Sequence, residues 1–126
     1  MLTRSLLNYR LNRWAKGEAI MEMDMRPALR NNAGVLHGGA IASLIDAACG
    51  HAATWSDDPE RPRFAITLSL TVSFTGQVVD GKVFAQARIR GGGRKIVFCV
   101  ADVLDDTGKL VAFGEGTFRY RSGSER

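Results

Sequence analysis

From Gly39 to about Trp55 the chain runs through small and branched apolar side chains, Ala40, Ile41, Ala42, Leu44, Ile45, Ala47 and Ala48, interrupted by Asp46 and His51. The run is too long for an ordinary strand, which has roughly 3–10 residues. It is apolar nearly all round, which predicts a helix buried on most sides rather than one lying on a surface. Such a helix needs other elements to wrap it, and the chain downstream offers strands. Ile66, Leu68, Leu70, Val72 and Phe74 alternate with Thr67, Ser69, Thr71, Ser73 and Thr75, the strongest period-two signal present. Asp80–Gly81 marks a turn. Beyond it Val83, Ala85, Ala87 and Ile89 face one way, and Phe84, Gln86 and Arg88 the other. Gly91, Gly92 and Gly93 make a break before a strand from Lys95 to Leu104. Asp105, Asp106, Thr107 and Gly108 form a hairpin turn, and Leu110 to Tyr120 is the last strand. Upstream, Met21, Met23 and Met25 alternate with Glu22 and Asp24, a half-buried strand over Ala19–Met25. This order predicts an α+β fold in which an antiparallel sheet wraps a long central helix.

The ends are less regular. Leu7, Leu11 and Trp14 recur at helical spacing, which predicts an N-terminal amphipathic helix over residues 5 to 16, ended by Gly17. Residues 26 to 34 and 56 to 63 read as loops, and the polar tail from 122 to 126 as disordered. The chain of 126 residues suits one domain, 1–126. Its net charge of +4 is mild and the basic residues are scattered. Nucleic-acid binding calls for a basic stripe with stacking aromatics, so no nucleic-acid partner is expected. No apolar run approaches the roughly 20 residues that span a bilayer, and Arg4 and Arg10 interrupt any secretory core. No membrane partner and a cytoplasmic location are therefore expected. Cys49 and Cys99 have no metal-type spacing and read as buried, reduced thiols; His37 and His51 make no zinc site, so no metal is expected.

The segment from Asn31 to Asp46, NNAGVLHGGAIASLID, carries the candidate chemistry. His37, Gly38 and Gly39 immediately precede the buried helix, whose first N–H groups have no helical partners. Glycines let a ligand approach that backbone, and N–H groups so placed can stabilise a developing oxyanion. Asp46 lies about two turns further on. A carboxylate within an apolar helix is costly unless it is paired or used. His51 reads as structural, or as lining a pocket near the helix end. Gly92, Gly93, Arg94 and Lys95 read either as a solvated turn or, with Arg61 and Arg63, as donors to anionic phosphates.

With Asn31, Gly34, His37, Gly38, Gly39 and Asp46 in the pattern N-x-x-G-x-x-HGG-x6-D, the chain resembles the hotdog-fold acyl-CoA thioesterases of the phenylacetic-acid-pathway and 4-hydroxybenzoyl-CoA thioesterase superfamily. ITLSLTVSFTGQ and GGGRKIVFCVADVLDDTGKLVAFGEGTF resemble that family's later strands, so the likeness covers roughly residues 18 to 121. The resemblance implies hydrolysis of an aryl- or medium-chain acyl-CoA to the free acid and CoA. Asp46 would be general base or nucleophile. The Gly38 N–H would bind the thioester oxygen, with Asn31 holding the carbonyl or water. His37 would orient the loop, and Thr67 would assist the carboxylate. Gly39, Gly93, Arg94, Lys95 and Arg63 would contact substrate. No separate cofactor is implied, since coenzyme A belongs to the substrate. The resemblance further implies a homodimer as the minimum and a homotetramer as the expected assembly, with Asp46 facing the other subunit's Asn31–Gly38 loop. A thioester is activated enough for a carboxylate and an oxyanion hole to suffice, and the chain has no G-x-S-x-G elbow. The alternatives are a hotdog dehydratase, a non-catalytic acyl-CoA-binding protein and a small interaction module. Asn31 with HGG and Asp46 favours hydrolysis.

Overall fold

The computed structural model describes residues 7–126. Six strands make one antiparallel sheet: β1 (Tyr9–Ala15), β2 (Glu18–Asp24), β3 (Ala65–Phe74), β4 (Lys82–Gly92), β5 (Ile96–Asp105) and β6 (Leu110–Tyr120). Their spatial order is β1-β2-β4-β5-β6-β3. A single long helix, α1 (Gly38–Thr54), packs on one face, and a short 3-10 turn, Pro27–Leu29, precedes it. None of the described helices is long and apolar enough to cross a membrane.

The core lies where the sequence put it, between α1 and the inner sheet face. Ala40, Ile41, Leu44, Ile45, Ala48, Cys49, Ala52 and Ala53 of α1 are buried. They meet Met21 and Met23 of β2, Val83 and Ala85 of β4, Val97, Cys99 and Val103 of β5, and Phe118 of β6. Burial of each large side chain here stabilises the fold by about 1.5–3 kcal/mol. The remaining face of α1 is a half-buried stripe of Ser43, Asp46, Ala47, Gly50, His51 and Thr54. The helix is therefore wrapped on all sides but one, and that side opens to the site described below.

Two expectations are corrected. The N-terminal helix is not formed over Tyr9–Ala15, which pairs antiparallel with β2; residues 1–6 lie outside the described residues. A bulge explains the misleading spacing. Leu11 opposes Met21 and Arg13 opposes Ile20, so Asn12 is an extra residue in the ladder. One inserted residue brings positions three apart onto the same face of a strand, which imitates a helical period. The tail is also ordered. The Phe64 N–H donates to Ser124 Oγ at 2.9 Å, Arg63 Nε donates to the Ser124 carbonyl at 3.1 Å, and Ser124 is buried. Arg126 donates to Ser56 Oγ and to the Arg61 carbonyl, fastening the chain end to the loop that follows α1.

β3 departs from its simple alternation. The Thr and Ser row is exposed, but so are Ile66, Leu68 and Phe74, at 43%, 51% and 53%. Only Leu70 and Val72 tuck partly against the core. β3 is an edge strand of ten residues, hydrogen-bonded to β6 on one side alone.

Candidate active site

The helix start is built by its own three residues. His37 is the N-cap, with extended backbone, and its Nδ1 accepts from the Gly39 N–H at 3.0 Å. A ring nitrogen that accepts carries no proton, so the neutral ring bears its hydrogen on Nε2. The His37 carbonyl takes the Ala40 N–H at 3.0 Å. Among the described residues nothing accepts from the Gly38 N–H. It is a free donor at the positive end of a 17-residue helix. Both glycines are closely packed. A Cβ on Gly38 would lie 3.1 Å from Phe74 Cζ, and one on Gly39 would lie 3.2 Å from His37 Nδ1, inside the cap.

Asn31 folds the approach loop. Its Oδ1 accepts from the N–H groups of Ala33 and Val35, and its own N–H donates to the Val35 carbonyl at 2.8 Å. The side-chain oxygen is thus committed to shaping the loop, and Nδ2 is the atom left to reach a ligand.

Asp46 sits half-buried on the open stripe of α1. Thr67 of β3 donates its hydroxyl to Asp46 Oδ1 at 2.8 Å. The other carboxylate oxygen has no partner among the described residues. One oxygen is therefore held and the other is available to take a proton or attack. Asp46 and Thr67 line a cleft of about 740 Å³, together with Ser43, His51, Thr54 and Arg63. Tyr9, Phe64 and Phe118 complete its walls. Arg63 enters this cleft with its guanidinium 4.2 Å from the Tyr120 ring, and the Tyr120 hydroxyl donates to the Ala53 carbonyl at 2.7 Å. Burial holds the Tyr120 hydroxyl above its ordinary pKa, so it stays a donor.

The expected residues therefore fall into three places. Asp46, Thr67 and Arg63 share the cleft. Asn31, His37, Gly38 and Gly39 form the helix-entry loop, seven residues or more before Asp46 in the chain. At 1.5 Å per residue Gly38 and Asp46 are about 12 Å apart along the helix axis. Gly93, Arg94 and Lys95 form the exposed β4–β5 turn, which touches β6 through the Tyr120 N–H to Lys95 carbonyl bond and does not line the cleft. The sequence reading missed Ser43 and Thr54, although both recur with Asp46 at helical spacing. It also missed Tyr9, hidden in the segment misread as helix. Among the described residues no group of three or more His, Cys, Asp or Glu converges as a metal site. The two cysteines are free and buried. Burial pushes the Cys99 thiol up to about 12 and the Cys49 thiol further in the same direction.

Comparison with known proteins places this geometry. A model of the family described as the thioesterase superfamily matches residues 33–112, which include the helix-entry glycines, Asp46 and Thr67. A relative from Archaeoglobus fulgidus, provisionally named an esterase, is 28% identical over 113 residues, covering 89% of this chain and 70% of its own. Among solved structures, a conserved protein of Pseudomonas aeruginosa (PA5202) superposes with a TM-score of 0.88 at 33% identity, covering 96% of this chain and 94% of that one. The PaaI protein of the E. coli phenylacetic acid degradation operon matches with a TM-score of 0.88 at 21% identity, covering 98% and 87%, and so shares the fold.

Proposed function

We propose, from the premise that this chain belongs to the thioesterase superfamily and has its hotdog fold, that it hydrolyses acyl-CoA thioesters with Asp46 as the catalytic carboxylate. Thioester hydrolysis in general follows from the family. The CoA ester and the roles of the residues are our reading. The observation that carries it is the Thr67–Asp46 pair at 2.8 Å, which leaves one carboxylate oxygen unpartnered in an open cleft.

In this mechanism the free oxygen of Asp46 takes a proton from water as the water attacks the thioester carbonyl, or attacks it directly. Thr67 fixes the carboxylate's orientation. The Gly38 N–H, free at the helix N-terminus, binds the oxygen on which negative charge develops. In this reading Asn31 Nδ2 is a second donor to that oxygen. CoA thiolate leaves readily, which removes the need for a strong general acid.

The 12 Å axial gap between Gly38 and Asp46 is too wide for both to act on one carbonyl, so we infer that the oxyanion donor comes from a second copy. The exposed apolar edge of β3 supports the same inference. A long apolar edge is an aggregation hazard unless another strand covers it. Pairing β3 with its copy would bury Ile66 and Leu68 and set Asp46 beside the partner's entry loop. A dimer is thus the minimal active unit, and a tetramer is compatible with it. Arg63, which lines the cleft, suits an anionic part of the substrate. Gly93, Arg94 and Lys95 would contribute only from the rim. The free enzyme as proposed needs no cofactor and works in the cytoplasm.

The test is thiol release from short-chain, long-chain and aryl acyl-CoA esters, followed with a thiol reagent. Turnover on at least one class is expected. A folded, oligomeric protein with flat traces throughout would refute the proposal and favour a binding-only role.

A further inference from the structure

Ser124 is the one polar side chain buried among the described residues, although its segment, RSGSER over 121–126, contains no apolar residue. Apolar burial therefore does not order this segment; hydrogen bonds do. The Ser124 N–H closes a four-residue turn on the Arg121 carbonyl at 2.8 Å. Gly123, at the third position, takes a φ of 89°, which glycine tolerates. The turn clasps Phe64 through both of its backbone groups. The Arg121 N–H donates to the Phe64 carbonyl at 2.9 Å, and the Phe64 N–H donates to Ser124 Oγ at 2.9 Å. Arg126 makes a second clasp, donating to Ser56 Oγ at 3.1 Å and to the Arg61 carbonyl at 2.8 Å.

Between the two clasps lies Arg63. Its Nε donates to the Ser124 carbonyl at 3.1 Å, and its guanidinium carbon lies 4.2 Å from the Tyr120 ring centroid. Tyr120 is itself fixed, since its hydroxyl donates to the Ala53 carbonyl at 2.7 Å. One hydrogen bond and one aromatic face therefore orient the guanidinium. Among the described residues no carboxylate pairs with it. A half-buried cation without a counter-ion is costly unless a ligand supplies the charge. The surroundings favour such a ligand. Arg63 lines the Asp46 cleft and also a second cavity of about 620 Å³, where Lys16 and Arg126 join it against a single acid, Asp57.

We propose that residues 121–126 are a strap that presents Arg63 to an anionic group of the substrate, with Ser124 as the positioning residue. That group is a phosphate of CoA or a carboxylate on the acyl chain; the recognition chemistry is shared, and the test separates the two. The proposal rests on the thioesterase reading for its substrate, but binding tests it without turnover.

Wild type, Ser124→Ala, Arg63→Gln and the double variant are compared in two ways. The first is kcat and KM on the best acyl-CoA ester. The second is Kd, by calorimetry, for non-hydrolysable acyl thioethers, neutral or carboxylate-ended, each on CoA and on N-acetylcysteamine, which lacks phosphate. Arg63→Gln should weaken binding of the anionic ligand about tenfold. Ser124→Ala leaves Arg63 in place but unaimed, so KM and Kd should rise about three- to tenfold with kcat within about twofold. In the Arg63→Gln background Ser124→Ala should cost less than about twofold. A loss confined to the CoA compounds assigns the phosphates, and one confined to the carboxylate-ended compounds assigns the acyl chain. Unchanged binding in folded Ser124→Ala overturns the proposal. So do additive effects of the two substitutions, a fall in kcat as large as the rise in KM, or equal losses that include the neutral N-acetylcysteamine thioether. Arg126→Ala, at an exposed position, loosens the outer clasp without leaving a buried group unpaired. Should Ser124→Ala fail to fold, a rise in Kd of about twofold or more in Arg126→Ala, absent in the Arg63→Gln background, upholds the strap, and an unchanged Kd overturns it. Should no ester be hydrolysed while anionic thioethers still bind through Arg63 and Ser124, the thioesterase reading falls and the strap stands.

Discussion

The Thr67–Asp46 contact lends itself to a double-mutant cycle. Thr67→Val keeps the shape of the side chain and removes the hydroxyl that donates to Asp46 Oδ1 at 2.8 Å. A hydrogen bond to a charged group contributes about 1.5–3 kcal/mol when shielded, but Thr67 is exposed, so about 1 kcal/mol or less is expected in stability. The effect on catalysis should be larger in proportion, because a misdirected carboxylate reaches the water only part of the time. A loss of about 1–2 kcal/mol in transition-state stabilisation corresponds to roughly 5- to 30-fold in kcat. Asp46→Asn preserves size and can still accept from Thr67, yet loses the base. General-base catalysis contributes about 10²- to 10⁴-fold, and kcat should fall by that much with thioether binding little changed. The cycle supplies the stringent step. In an Asp46→Asn background Thr67→Val should cost less than about twofold, since there is no carboxylate left to orient. The assay is initial-rate thiol release on the best ester of the panel, with thermal melts to establish that each variant is folded. Asp46→Asn retaining more than about a tenth of wild-type kcat would refute the assignment. A Thr67→Val penalty of equal size in both backgrounds would refute the coupling while leaving Asp46 in place.

Other outcomes follow from the same geometry. Gly39→Ala forces a Cβ to 3.2 Å from His37 Nδ1 and opens the N-cap, so stability should drop by about 1 kcal/mol in denaturant unfolding, with a loss of activity. Leu68→Lys places a charge in the exposed apolar row of β3; light scattering should show monomers, and activity should disappear with the oligomer. Glu22 accepts from Asn12 and is flanked by Lys82 and Arg10, which together hold its carboxyl below the usual range. A depressed folded pKa gives stability that is present above the unfolded value near 4.3 and lost as pH falls through the folded value. Glu22→Gln should therefore be less stable than wild type at pH 7, and the two melting curves should converge on acidification below about pH 4. Cys49 and Cys99, with thiols raised by burial, should not react with a disulfide reagent at pH 8 in the native protein and should both react in guanidinium.

How much of this was legible in the sequence depended on how local the cause was. The strands β4, β5 and β6 and the buried helix were readable because one face of each meets the core, and burial writes itself into the residue pattern at period two or 3.6. Val83, Ala85 and Ala87 are the plain case. The entry loop was readable because its chemistry is contiguous: His37 caps the helix that Gly38 and Gly39 begin. β1 was misread because a single bulge at Asn12 converts strand spacing into helix spacing, and nothing within seven residues reveals which partner resolves the ambiguity. Its partner β2 does, across the two-residue turn at Lys16–Gly17, where Gly17 takes the positive φ of 71° that such a turn needs. The tail was misread because the groups that order Ser124 are the Phe64 N–H and Arg63, 60 and 61 residues earlier.

β3 poses the opposite problem, since its pattern was the clearest in the chain and its burial is the poorest. Ile66, Leu68, Leu70, Val72 and Phe74 alternate as strictly as a core strand, yet three of the five stand exposed. A bulge at Leu68 in the ladder with β6 turns Ile66 to the face opposite Leu70 and Val72, and no described residue covers Ile66 or Leu68. Selection for solubility acts against an exposed apolar edge, so the alternation must be satisfied by something outside the chain. The same strand carries Thr67, which orients Asp46, and its far end carries Phe74, which lies against Gly38. A surface that is apolar, unpaired and attached at both ends to the candidate catalytic groups is best accounted for by a second copy laid along it. That reasoning links two predictions which could otherwise fail independently. Leu68→Lys should abolish activity without touching a catalytic group, and mixing Leu68-intact subunits carrying Asp46→Asn with subunits carrying Gly38→Ala should give activity that neither parent has. In such a mixed dimer one of the two sites combines an intact Asp46 with an intact Gly38 loop. Recovery of up to about half the wild-type activity in the heterodimer fraction is expected. Mixtures no more active than either parent, with heterodimers demonstrated by mass spectrometry, would place both groups in a single subunit and undo the shared-site argument.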